Sequence, residues 1–502
     1  MKIIKNTDFH AERWFYLFAF IHLICWTAVP ALVRYNLPLD TIEGTIWGHQ
    51  LVLGYDKNPF LNGWLTRLAI ELGGQSGWMT YLFCQLSVIT CFWVVWQIGK
   101  KALTPAYALV SVMLLEGVQF YNFHAIDFND NTLELGAWGL TIYFFYRSLR
   151  SPTIASWMLT GAFAGVGMMA KYYTLALLAA MGLLLLINQK HRAQLATLPP
   201  YLGLAILLAI ILPHTIWLFF HDFITVKYVF ARADSLPSWT NHIFFPLEFA
   251  WQQFQVFLPS LVLFGILLLK KPRLSTKRIN LSTFDKEFLF YIGLGPLLLT
   301  LLLSLCLGTK LRAGWGQPLL SFWGLILMAV VQPYLTPKRI YAFMGIIYSL
   351  LVLTLVIYCY SIIDSPDVSS ANFQGKELAE KITQQWHDTY HTKLEYIGGA
   401  RWSGGNVGFH SSDHPAVWIE WSSEKAPWVD VDEMKKKGAV FIWTISDREK
   451  LPKDIYERFP RLHETQVIEL PLYRNTRHLP PVKIGVAVLP PEWGFCRWGK
   501  RK

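Results

Sequence analysis

The residues able to do chemistry gather in a few short polar stretches between long apolar runs. The first stretch, residues 38–64, reads Pro-Leu-Asp-Thr-Ile-Glu-Gly-Thr-Ile-Trp-Gly-His-Gln-Leu-Val-Leu-Gly-Tyr-Asp-Lys-Asn-Pro-Phe-Leu-Asn-Gly-Trp. Asp40 and Glu43 stand three apart, so on a helix they share a face. Tyr55, Asp56, Lys57 and Asn58 follow, and Pro59 interrupts the segment. Trp47, Trp64 and Tyr55 suit a segment lying in a membrane interface. A second stretch, 121–131, carries Asp127 and Asp130. Lys171, Tyr172 and Tyr173 form a third. Residues 221–248 hold His221, Asp222, Lys227, Arg232, Asp234 and His242, and Gly308 to Gly314 holds Lys310 and Arg312.

Carboxylates and cations on one membrane face suit a reaction in which a hydroxyl or amine loses a proton and an anion departs. A carboxylate positioned at the nucleophile acts as general base. A lipid phosphate is the natural anion. At about 4 Å in an effective dielectric near 20, each cation attracts it by roughly 4 kcal/mol. The attraction grows as the bond to the leaving group breaks, so it lowers the barrier and does more than tighten binding.

The elements that must position these groups are membrane helices. The chain is 53% hydrophobic, 15% aromatic and only 16% charged. Apolar runs of about 20 residues alternate with short charged clusters, the pattern of a polytopic helical membrane protein. The net charge of +11 does not indicate a nucleic-acid partner. The basic residues sit between apolar runs as the positive-inside rule requires, and no nucleic-acid motif accompanies them. Residues 1–14 are expected in the cytoplasm, and the first span, about 14–33, is expected to remain as an anchor. An outer loop over 34–78 follows. About eleven spans are expected, the fifth over 154–170 and the last over 340–362, forming a membrane domain of residues 1–364. An odd number of spans leaves the C-terminus outside. Residues 365–502 are expected to form a small extracytoplasmic α/β domain, with a helix near 375–390 and strands at 393–398, 416–421, 439–444 and 466–472. The cysteines at 25, 84, 91, 306, 359 and 496 show no metal spacing and mostly behave as small hydrophobes.

The motifs resemble a known family. Asp40-Thr41-Ile42-Glu43, Leu53-Gly54-Tyr55 and Asn58-Pro59-Phe60-Leu61 resemble the first outer loop of GT-C glycosyltransferases of the family 39 type, near bacterial aminoarabinose transferases and protein O-mannosyltransferases. Gly165 to Tyr172 resembles that family's Gly-x-x-Leu-x-x-Lys-Tyr turn, and Trp217 to Phe230 its Trp-Asn-x-x-His-Asp stretch. Trp251 to Phe254 and Lys310 to Pro318 are also similar. The likeness covers roughly 14–335. It implies a GT-C architecture and transfer of a sugar from a polyprenyl-phosphate-linked donor to a lipid, glycan or protein acceptor, at the outer face of the cytoplasmic membrane, with inversion. It makes Asp40 the base, with Glu43 and Asp130 as further catalytic candidates. Lys171, Lys227, Arg232, Lys310 and Arg312 become candidates for the donor phosphate. Lys57, Asn58, Tyr55, Tyr172, His221 and Asp127 become candidate cavity residues. Thr41, Asn58 and Phe60 stand where the family has Glu, His and Pro, and Phe128 to Asn131 replaces Pro-Asp-Ala-Pro. These departures leave any divalent metal and the sugar open.

Duller readings stand beside each site. Asp40 could be a helix cap, Glu43 a solvated charge, Asp56 and Lys57 a surface pair, Asp127 and Asp130 caps of the fourth span, and Lys171 a snorkelling cation. His221 could be a hydrogen-bonded structural histidine. At the level of function, a secondary transporter and a non-catalytic membrane scaffold are the alternatives. Against a transporter, the charges lie in loops at one face and not at mid-membrane in broken helices.

Overall fold

A computed structural model describes residues 10–232, 238–269 and 278–492. Asp234 and Cys496, named in the sequence reading, lie outside the described residues. The chain divides into two compact units.

The first unit, residues 1–28, 81–126 and 130–356, is helical. Six helices among the described residues are long and apolar enough to cross a membrane: Ala11–Val33, Trp78–Ala102, Pro199–Phe220, Asn241–Ile266, Thr283–Leu307 and Pro337–Ile363. Three bent pairs raise the count to nine, and Pro105–Gly117 with Gln119–Ile126 turns by 91°. The sequence expectation was eleven. The other two expected spans are helices that do not meet the same measure. Asp130–Arg150 is interrupted by Asp130, Glu134, Arg147 and Arg150. Ile154–Ala170, bounded as expected, has only 17 residues.

Apolarity on all sides of a helix means lipid or protein on all sides. Pro199–Phe220 illustrates this: Leu204, Leu208, Leu212, Ile216, Phe219 and Phe220 are exposed, while Gly203, His214 and Trp217 are buried. Small residues let its backbone approach Ile154–Ala170. A Cβ at Gly161 would collide with the Gly203 carbonyl, and one at Gly203 with the Trp157 carbonyl. Inside, Phe15 stacks on Trp96 with centroids 4.9 Å apart. His22 and Glu116, both fully buried, pair at 2.8 Å.

The second unit, residues 29–80, 127–129 and 357–502, contains the outer-loop helices Leu39–Gln50 and Leu61–Gly73 and a five-stranded sheet. Its strands are β1 (Tyr396–Gly399), β2 (Ala416–Ile419), β3 (Ala439–Thr444), β4 (His463–Leu470) and β5 (Val482–Leu489), in the order β2-β1-β3-β5-β4. β1, β2 and β3 run parallel, and β5 is antiparallel to β3 and β4. The expected helix is present as Gly375–Tyr390. The helix Arg401–His410 and strand β5 were not expected.

Candidate active site

The loop after the first span is built around Leu39–Gln50. Its glycines are there for close approach. A Cβ at Gly44 would lie 2.6 Å from Thr66 Oγ1, and one at Gly48 2.6 Å from the Gly63 carbonyl, so Leu61–Gly73 packs against that face. On another face a Cβ at Gly405 would lie 2.8 Å from Ile42 Cγ2, which seats Arg401–His410. The next segment turns tightly. Tyr55 N–H donates to the Asn58 carbonyl at 3.0 Å, and the Tyr55 hydroxyl donates to the Trp47 carbonyl at 2.8 Å. Trp47 stacks on the Tyr55 ring with centroids 5.2 Å apart.

Asp40 occupies the first turn of this helix and is half-buried. Asn129 Nδ2 donates to its Oδ2 at 3.0 Å. The helix start itself is satisfied by Asp127. Thr41 N–H donates to Asp127 Oδ1 at 2.9 Å, Asp40 N–H to Oδ2 at 3.3 Å, and the Thr41 hydroxyl to Oδ1 at 2.8 Å. Phe128 N–H donates back to the Thr41 hydroxyl at 2.9 Å. An acid there also meets the positive end of the helix dipole. Burial pushes the Asp127 pKa up, while these hydrogen bonds and Arg34 pull against that rise. Asp127 therefore caps the helix Leu39–Gln50, where the sequence offered a cavity residue or a cap of the fourth span. Thr41, one of the residues that depart from the family pattern, is the second half of this joint.

Glu43 and Asp56 are buried, with Arg401 between them. Arg401 Nη1 meets Glu43 at 2.6 Å, Nη2 binds Asp56, and Nε meets Glu420 at 3.2 Å. Lys57 reaches Glu43 at 2.8 Å, and Lys425 binds Glu420. Burial alone would lower the Arg401 pKa, but the three carboxylates outweigh it and raise it. The expected Asp56–Lys57 surface pair is thus replaced. The tight turn sends the two neighbours in different directions, Asp56 to Arg401 and Lys57 to Glu43. The single-residue sequence reading missed Arg401, 345 positions from Asp56. Asn58 contributes its carbonyl to the turn.

In the helical unit, Lys171 follows the last residue of Ile154–Ala170. Its ammonium meets Asp130 Oδ2 at 2.9 Å and binds Asn131 Oδ1, and it lies 5.8 Å from the Trp315 ring centre. Its side chain is 12% exposed, too buried to be a snorkelling surface cation. Glu134, one turn after Asp130 and fully buried, accepts from the Thr174 hydroxyl at 2.9 Å. Tyr172 hydrogen-bonds His214. His221 stacks on Trp217 with centroids 4.0 Å apart and donates from Nδ1 to its carbonyl at 2.8 Å, a structural arrangement. Among the described residues no group of three or more His, Cys, Asp or Glu is arranged to hold a metal ion. Lys227, Arg232, Lys310 and Arg312 are exposed. Lys310 stands 3.9 Å from Glu248, and the Arg232 guanidinium 6.0 Å from the Tyr228 ring centre.

Comparison with known proteins agrees with this architecture. The family described as dolichyl-phosphate-mannose-protein mannosyltransferase matches residues 57–217. The chain is 25% identical over 208 residues to the lipopolysaccharide core galacturonosyltransferase RgtA of Rhizobium johnstonii, covering 41% of this chain and 40% of that protein. It is 24% identical over 208 residues to RgtB of the same organism, covering 41% of this chain and 42% of that protein. The match therefore spans about two fifths of the length of these relatives. The fold is similar to that of ArnT from Cupriavidus metallidurans bound to undecaprenyl phosphate, with a TM-score of 0.60 and 14% identity, over 95% of this chain and 98% of that one. The same protein in the apo state gives a TM-score of 0.54 at 14% identity, with the same coverage. Six or more apolar spans among the described residues, a small C-terminal sheet domain and an ArnT-like fold mark a multi-pass membrane protein, and over residues 57–217 the chain is similar to the dolichyl-phosphate-mannose-protein mannosyltransferase family.

Proposed function

We propose that this chain transfers a sugar from a polyprenyl-phosphate-linked donor to a lipid, glycan or protein acceptor. The observation that carries the reading is the setting of Asp40. It is a half-buried carboxylate on the first turn of a helix fixed by Asp127 and Thr41, oriented by Asn129. In this reading Asp40 takes the proton from the acceptor nucleophile as that atom attacks the anomeric carbon. The sugar–phosphate bond breaks on the opposite face, which inverts the centre in a single displacement. Lys171 holds the departing phosphate, with Asp130 and Asn131 keeping the ammonium in place. Lys227, Arg232, Lys310 and Arg312 are further candidates for the phosphate. Glu43, buried, and Lys57, half-buried, pair and shape the loop around the base.

The donor class is supported by the undecaprenyl phosphate bound in the similar ArnT structure. The names of the relatives make a lipopolysaccharide core a candidate acceptor. The reaction would lie at the outer face of the cytoplasmic membrane, with the C-terminal sheet domain on the same periplasmic or extracellular side. The test is to supply purified full-length chain with a panel of polyprenyl-phosphate sugars and envelope acceptors, and to identify products by mass spectrometry. Sugar transfer that disappears in Asp40→Asn is the expected result. Absence of product with every donor, or an undiminished rate in that variant, would overturn the reading or its base.

A further inference from the structure

The sheet domain holds a crevice apart from Asp40. Strands β2, β1 and β3 are parallel, with Gly399 level with Ile419 and Gly398 level with Phe441. From β1 the chain passes through Arg401–His410 to β2 on one side. It then returns through Val431–Lys437 to β3 on the other side. The strand order therefore reverses at β1, and open parallel sheets take ligands outside the carboxyl ends at such a reversal. A cavity of about 390 Å³ lies there, lined by Glu420, Trp421, Trp443, Thr444, Asp447 and Arg448 among others. That volume falls within the range of small-molecule sites, roughly 300–1,000 Å³.

Its chemistry is specific. Trp421 and Trp443, both buried, contribute aromatic lining. The Arg448 guanidinium lies 4.6 Å from the Trp421 ring centre and has no carboxylate partner among the described residues. Asp447 is exposed, and among the described residues its carboxylate accepts from its neighbour Ser446, at 3.2 Å. The Trp421 indole N–H is buried without a hydrogen-bond partner. Glu420 and Trp421 both adopt left-handed backbone, with φ of 49° and 56°. Side-chain residues rarely accept that conformation, and it clusters at binding sites.

We propose that this crevice binds a saccharide unit. Asp447 only accepts hydrogen bonds and Arg448 only donates them. Adjacent in sequence at one rim, they match the alternating donor and acceptor character of vicinal sugar hydroxyls. Aromatic lining suits the C–H face of a pyranose ring. An anion is less well matched, because Glu420 and Asp447 line the same cavity. The link to sugar transfer, as a subsite for the acceptor glycan, rests on the proposed function; the binding itself does not.

The test is ligand-observed NMR on the full chain in detergent, with galactose, glucose, mannose and N-acetylglucosamine as probes. Binding of at least one probe is expected, weakened about tenfold or more in both Arg448→Ala and Asp447→Asn at an unchanged thermal midpoint. If Arg448→Ala does not fold, Asp447→Asn, at an exposed position, decides alone. No binding of any of the four at millimolar concentration, or unchanged binding in the folded variants, overturns the proposal. Saccharide binding in a chain that transfers no sugar from any donor would leave the crevice standing and count against the proposed function alone.

Discussion

At the residue scale, Asp40 and Lys171 occupy contrasting settings. Asp40 keeps partial access to solvent, whereas Lys171 is held by a carboxylate and an amide. Removing a positioned base costs roughly 10²–10⁴ in rate, so Asp40→Asn should lower kcat by about that factor while donor binding persists. Single-turnover assays with separately measured donor affinity check this. Lys171→Ala should act differently. It removes attraction to an anion present in both the ground and transition states, so donor affinity and kcat should both fall, and Lys171→Arg should recover part of the loss. Unchanged donor kinetics in the alanine variant would exclude a phosphate role. Asp40 and Lys171 stand out in the sequence because both lie in motif-like surroundings, and their roles are part of the proposed function. The partners of Glu43, Asp56 and Lys57 were not. A short turn reverses the chain between Gly54 and Pro59, so sequence neighbours diverge, and Arg401 comes from a segment that carries no catalytic pattern.

At the scale of elements, the outer-loop helix Leu39–Gln50 and the helix Arg401–His410 are joined by apolar contact at Gly405 and by the Arg401 ion cluster. Buried acids left without their cation cost several kcal/mol. Arg401→Ala should therefore destabilise this unit by about 3–5 kcal/mol, read as a lower thermal midpoint in detergent. An unchanged midpoint would mean that the cluster contributes no stability. At the other end of the same helix, His410 hydrogen-bonds Asn36 Oδ1 at 3.1 Å. Burial, helped by Lys376, lowers its pKa from the usual 6.5 to about 4. A histidine depressed in the folded state binds its proton more readily when unfolded. Its contribution is therefore complete above pH 6.5 and declines as the pH falls toward 4, by an amount on the order of 2 kcal/mol. Unfolding followed between pH 7 and 4 should show this slope, and His410→Gln should flatten it. The helix itself escaped sequence reading because Gly404, Gly405 and Gly408 depress its helix propensity. Only packing against Ile42, Ile46 and Val417 explains them. Strand β5 was missed for a related reason: Gly485 breaks its apolar alternation, and a Cβ there would collide with the Trp443 ring.

At the scale of the whole molecule, the long apolar helices with exposed leucines and phenylalanines mark a membrane protein, and the proposed function makes a polyprenyl phosphate its ligand. Undecaprenyl phosphate without a sugar should then stabilise the purified chain. At a hundredfold excess over its dissociation constant the gain is about 2.7 kcal/mol, visible as a rise in thermal midpoint that Lys171→Ala diminishes. No rise at any concentration would speak against this donor class. By itself, the sequence determined the membrane class, most span positions and the acidic first loop. These follow from local hydropathy and short motifs, which a linear reading captures because the bilayer acts on each segment separately. Only the tertiary structure decided that Asp127 caps the helix carrying Asp40, that Arg401 gathers Glu43, Asp56 and Glu420, and that a crevice opens at the carboxyl ends of β1, β2 and β3. Those arrangements depend on contacts between segments tens to hundreds of residues apart, and the directions in which side chains meet there are fixed by packing, not by the neighbours along the chain.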